Sequence, residues 1–189
     1  MKCLFFDSET TGVDANIHGI HQLSGKIIID GVEIDEFDFK IQPHYGCQYD
    51  PKALAVCGVT EAQIKAYPHM HTVFPLILAK LAKHIDMDDP QDKFFMFGYN
   101  VTFDARHLLN WFRLNNGNKH FFNLFWTTPI DVMVLAVHYL MSKRHVMKDF
   151  KQGTVAEFLG IEVDKSKLHN SLYDLDILIQ IYNYISGKY

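Results

Sequence analysis

Cysteine is scarce in this sequence: Cys3, Cys47 and Cys57 are odd in number and lack CxxC spacing, which argues against a disulfide framework and a cysteine zinc site. Long hydrophobic runs are missing too. Asp7 interrupts the apolar stretch Cys3 to Phe6, leaving it too short for a signal peptide or a membrane span, so a soluble, cytoplasmic chain with no membrane partner is expected. Positive charge is not in excess. With 18 Lys and Arg against 22 Asp and Glu, the formal charge of −4 argues against a protein that coats polyanions through a broad basic face. It leaves room for an enzyme that gathers acidic groups at its centre. No internal repeat, low-complexity tract or linker is visible, and residues 1–189 read as one domain.

What is present is core material, 48% hydrophobic and 14% aromatic residues. Lys2 to Asp7 reads as a strand, and Gly25 to Ile29 with Val32 to Ile41 flank Asp30-Gly31, a hairpin turn signal. Helical texture follows: Thr60 caps Glu61 to Ala66, and Val73 to Ile85 forms a helix with Pro75 in its first turn. Asp86 to Asp92 reads as a loop and Phe94 to Phe97 as a buried strand. Asn100 or Thr102 caps a helix through Phe112 that stops at Asn115 to Asn118. Ile130 to Tyr139 reads as helix, Ser142 to Gly153 as a basic loop, Thr154 to Leu159 as a short helix, and Asn170 to Ile185 as a final amphipathic helix. Strands followed by alternating helix and strand predict an α/β layer structure around a mixed sheet.

Three constellations carry chemistry. Asp7 and Glu9 lie two apart on or just past a strand, so both carboxylates can face one side and hold a metal; Thr10, Thr11 and Gly12 follow. Asn100, Phe103 and Asp104 lie where an apolar strand gives way to a helix. His169 precedes Asp174 by five residues. On one continuous helix that spacing leaves side chains about 140° apart, so His169 must precede the helix for the two to share a site. Singly, each has a plain structural account: a polar turn, an acid that complements a helix dipole, and solvent-facing side chains.

Together, Phe6-Asp7-Ser8-Glu9-Thr10-Thr11-Gly12, Asn100-Val101-Thr102-Phe103-Asp104 and His169-Asn170-Ser171-Leu172-Tyr173-Asp174 resemble the three motifs of the DEDDh exonucleases, in that family's order and separations. The family includes proofreading subunits of bacterial replicative polymerases, oligoribonucleases and DNA-repair exonucleases. Pro51 to Val56, Gly58-Val59-Thr60 and Pro129-Ile130-Asp131 extend the resemblance over nearly the whole chain. Cys57 and Tyr99 depart from it, standing where many or some members carry histidine; both places lie near the family's substrate cleft.

The resemblance implies a ribonuclease-H-like fold, a mixed five-stranded sheet with helices on both sides. It implies 3′-to-5′ hydrolysis of nucleic-acid ends, with single-stranded or frayed DNA favoured, nucleoside monophosphates released and a polymerase as a candidate partner. It also implies two divalent cations, Mg²⁺ or Mn²⁺, about 4 Å apart. Asp7 would bridge them, Glu9 and Asp174 would hold the ion that activates water, and Asp104 would serve the other. His169 would take a proton from the attacking water. Thr10, Thr11, Gly12, Asn100 and Phe103 would meet the terminal nucleotide. Lys143, Arg144, Lys148 and Lys151, with Lys165 and Lys167, form two basic clusters suited to strand phosphates, or to nothing beyond a solvated face.

Other readings remain open: an RNA-end exonuclease or oligoribonuclease, a binding module without catalysis, or a zinc site at His18 and His21 or at His69 and His71. The chain stops at Tyr189 soon after the third motif, so a bare catalytic domain is expected.

Overall fold

A computed structural model describes residues 1–168 and 170–187. Strand β1 (Lys2–Thr10) lies at the centre of a five-stranded sheet. Its alternation places Leu4 and Phe6 in one core and Cys3 and Phe5 in another, so both faces of the sheet are covered. Strand β2 (Ile20–Ile29) runs antiparallel to β1 and pairs in turn with antiparallel β3 (Val32–Lys40). The turn between them puts Asp30 and Gly31 at positive φ, as a tight hairpin requires. Helices α1 (Pro51–Cys57), α2 (Glu61–Lys65) and α3 (Met70–Ala82) carry the chain to β4 (Phe95–Gly98), parallel to β1 on its other side. Helices α4 (Val101–Leu114) and α5 (Asn118–Leu124) lead to the short strand β5 (Ile130–Asp131), parallel to β4. Then come α6 (Val132–Leu140), a 3₁₀ segment (Met141–Val146), α7 (Gln152–Phe158) and α8 (Ser171–Ile185).

The sheet order β3-β2-β1-β4-β5, mixed and covered on both faces, is the expected ribonuclease-H-like architecture. Val73 and Phe74 of α3, Trp111 and Phe112 of α4 and Phe121 of α5 fill one core; Ala136, Val155 and Leu178 from α6, α7 and α8 fill the other. Strand β3 is the sheet edge, and its Glu33, Asp35, Glu36 and Asp38 give that edge negative charge.

Several boundaries differ from the sequence expectation. Strand β2 begins at Ile20 rather than Gly25 because His21, Gln22 and Ser24, polar in sequence, are buried. Helix α3 begins at Met70, capped by His69, so Pro75 lies inside the helix, where it has no N–H to donate. Asn118 opens a further helix instead of ending one. Ile130 and Asp131 extend the sheet, and Asp131 caps α6 by accepting from the Met133 N–H at 3.0 Å. Part of the expected basic loop is 3₁₀ helix, and α7 begins at Gln152.

Candidate active site

Pairing of β1 with β4 ends at Phe5 and Phe97, whereas β1 runs on to Thr10. The overhang leaves Asp7 and Glu9, on the Cys3 and Phe5 face, where α4 and α8 begin. Asp174, in the first turn of α8, completes a cluster: one carboxylate oxygen from each of Asp7, Glu9 and Asp174 lies within 4.8 Å of the others. Ser24, opposite Asp7 in the β1–β2 register, makes a short buried hydrogen bond to Ser171 at the start of α8. Lys26 pairs with Asp176 at 2.7 Å, and Gln152 donates to the Asp174 carbonyl at 2.5 Å. These contacts fix the start of α8 over the β1 overhang.

Asp104, from α4, lies outside that grouping but close enough for its charge to act on Asp7. Its Oδ1 accepts from the Ser8 N–H at 3.1 Å and from Oγ at 2.5 Å, and only 5% of the residue is exposed. Burial, then the charges of Asp104, Glu9 and Asp174, holds the Asp7 carboxyl well above its ordinary value. Burial also pushes Asp104 up to about 7, against the hydrogen bonds from Ser8. Four carboxyl groups with no cation between them are electrostatically costly, and a divalent ion would remove that cost. The donors are all oxygen, a set suited to hard divalent ions. Among the described residues, no other three His, Cys, Asp or Glu side chains converge in this way.

Cys57 donates its thiol to Glu9 at 3.0 Å, and burial, then the Glu9 carboxylate, pushes that thiol up. At the motif position where some relatives carry histidine, Tyr99 turns from the carboxylates and donates to the Phe150 carbonyl at 2.5 Å. Asn100 occupies the N-cap position of α4, one of the two expected, with left-handed backbone (φ 57°) and no cap hydrogen bond from its side chain. Its side chain instead lines a groove of about 590 Å³ with Phe103, His107, Arg106 and the loop Val13–Asn16. The Phe103 ring stands 4.5 Å from that of His107.

Thr10 and Thr11 hold the turn at the end of β1 closed through their hydroxyls. Thr10 donates to the Gly12 carbonyl at 2.9 Å, and buried Thr11 donates to the Gln48 carbonyl at 2.6 Å and accepts from the Gly19 N–H at 3.0 Å. Gly12 is required by the His18 ring, which would stand 2.3 Å from any added Cβ. Neither zinc alternative gathers a third His, Cys, Asp or Glu ligand among the described residues, and His71 meets Asn115 at 2.7 Å. His169 lies outside the described residues. Ser8, Ser24 and Ser171 are the positioning residues that sequence reasoning missed; for Ser24 the signal was the alternation of Gln22, Ser24 and Lys26 along β2.

The family model for exonucleases, RNase_T, matches residues 4–182. PolC-type DNA polymerase III of Thermotoga petrophila is 25% identical over 177 residues, covering 93% of this chain and 11% of the polymerase. The same protein of Thermotoga maritima matches to the same extent, so the chain spans about a tenth of the length of these curated relatives. Escherichia coli exonuclease I, solved with a dT13 oligonucleotide, superposes with a TM-score of 0.77 at 19% identity, over 98% of this chain and 41% of that one. At that identity the likeness establishes the fold alone, and the family rests on the matched model together with the acidic motifs. The chain therefore belongs to the RNase_T exonuclease family, and its acidic motifs are those of the DEDDh resemblance.

Proposed function

We propose that this protein removes nucleoside monophosphates one at a time from nucleic-acid 3′ ends, with single-stranded or frayed DNA as the favoured substrate. The convergence of Asp7, Glu9 and Asp174 within 4.8 Å, with Asp104 held beside them by Ser8, carries the reading. Asp7 would be shared between two Mg²⁺ or Mn²⁺ ions, Glu9 and Asp174 would hold one of them, and Asp104 would serve the other. Bound there, the two ions supply neutralisation of phosphodiester charge and activation of water.

The side chains of the chain do the rest. His169 accepts the proton that the attacking water loses, a role suited to a base that titrates near neutrality. Phe103 offers its ring to the terminal base, and Asn100 turns a free amide toward the same groove. The main chain of Thr10 to Gly12 lines the approach, with the threonine hydroxyls already engaged in the turn. Preference for DNA is supported by the PolC-type relatives and by the DNA-bound exonuclease I. The same chemistry would serve RNA ends.

The test offers 5′-labelled DNA single strands, duplexes with a mismatched 3′ end and matching RNA to wild type and Asp7→Ala, with Mg²⁺ or Mn²⁺. A metal-dependent ladder that shortens from the 3′ end and vanishes in the variant is expected. No ladder on any substrate, from folded protein supplied with metal, would return the chain to a binding role.

A further inference from the structure

A second groove, about 520 Å³, has Asp174 of the carboxylate cluster in its wall and shares no lining residue with the Phe103 groove. Lys148 and Lys151 line it from the segment before α7, and Lys165 from the loop after α7; Gly153 and Thr154 form part of its floor. Among the described residues no aromatic ring lines it, unlike the Phe103 side.

The lysines are placed by structure, which separates them from the other basic residues nearby. Tyr99 donates to the Phe150 carbonyl at 2.5 Å, and Asp149 accepts from the Lys151 N–H at 3.0 Å, so the residue before motif Asn100 anchors the segment carrying Lys148 and Lys151. Arg144 is engaged locally, donating to the Met147 carbonyl at 2.7 Å and lying over the Phe150 ring at 5.8 Å. Lys167 turns to Asp164 and the Tyr173 ring. Lys148 and Lys151 make no ion pair within 4.0 Å among the described residues, although the charges of both act on the Asp149 carboxylate, whereas Lys165 pairs with Glu157 at 2.9 Å and must leave it to meet another anion.

Cleavage of a phosphodiester needs room on both sides of the scissile phosphate, one for the departing nucleotide and one for the strand that stays. A groove with an aromatic ring suits a base, and a groove with lysines and no ring suits a sugar-phosphate backbone. We infer that Lys148, Lys151 and Lys165 bind consecutive phosphates of the uncleaved single strand as it leaves the carboxylate cluster. The inference rests on the exonuclease reading for its substrate. Because backbone phosphates are common to DNA and RNA, it applies to both.

The experiment compares wild type with the triple variant Lys148→Gln, Lys151→Gln, Lys165→Gln and with the corresponding triple Arg variant. Fluorescence anisotropy follows binding of labelled oligothymidylate and oligouridylate across a salt series, with Ca²⁺ as the divalent ion. The expected result is about tenfold or greater weakening for the Gln variant on both strands. Its slope of log affinity against log salt falls by about two, at about 0.7 for each phosphate that a lysine no longer neutralises. The Arg variant restores both. Unchanged affinity and slope would overturn the inference.

Hydrolysis of the p-nitrophenyl ester of thymidine 5′-monophosphate, which reaches the carboxylates without filling the groove, reads catalysis separately. It should be unaltered in the Gln variant, and its loss there would also overturn the inference. Absence of hydrolysis in the wild type would count against the exonuclease reading, with the anisotropy result still deciding the groove.

Discussion

Asp104 shows how one side chain can serve the site at the expense of the metal-free fold. Unfolded, its carboxyl ionises near 3.8; folded, it does so at about 7. Between those values the unfolded chain gives up the proton and the folded chain keeps it. The contribution is therefore fully present below about 3.8 and is lost as pH rises through about 7. Asp104→Asn keeps the Oδ1 that Ser8 donates to and cannot ionise, so thermal melts with chelator should show less loss of stability between about pH 5 and 8 than wild type, alongside collapse of turnover. Equal slopes in the two proteins would contradict this account. His21 pulls the other way: burial, then Lys40, pushes its ring down to about 4, and its contribution is lost as pH falls from 6.5 through that value. His169→Asn tests the proposed base directly. It should lower kcat by about 10²–10⁴ and flatten the rise in activity between about pH 6 and 8, with cation affinity retained. Near-normal turnover would remove this histidine from the chemistry.

At the scale of elements, the site is made by where strands stop and helices start. The β1 overhang positions Asp7 and Glu9, α4 brings Asp104 and α8 brings Asp174. Ser171→Ala removes the buried hydroxyl that ties α8 to β2, leaving Ser24 its bond to Asp38 at 2.8 Å. A loss of about 0.5–1.5 kcal/mol in urea unfolding, with weaker cation binding, is expected. Unaltered cation affinity would mean that the start of α8 is held by Lys26 and Gln152 instead. Much of this was legible in the sequence: the apolar run of β1, the Asp30-Gly31 turn and the start of α8 near Asn170 are local signals. What escaped depends on tertiary context. Buried Gln22 and Ser24 concealed half of β2, and the two-residue β5 is a strand only because β4 pairs with it. Likewise the hydrogen bonds of the Thr11 hydroxyl exist only once the fold brings Gln48 and Gly19 to it.

For the whole molecule, the clustered carboxyl groups link cation binding to stability. A divalent ion at a hundred times its Kd should stabilise the fold by about 2.7 kcal/mol, or about 5–11 °C in Tm. Asp7→Asn should abolish the response, and a wild-type melt indifferent to Mg²⁺ and Mn²⁺ would show that the cluster does not take up the ions. The charge on β3 has a different consequence. An edge strand offers unpaired backbone N–H and C=O groups to any other strand that comes near, the first step of aggregation. Here Val32 and Ile34 are exposed on that edge and would invite such pairing, but Glu33 and Glu36 stand among them, and Asp35 is already clasped by Lys80 and His84. Two copies meeting edge to edge would bring like charges together, so the acidic edge disfavours such pairing.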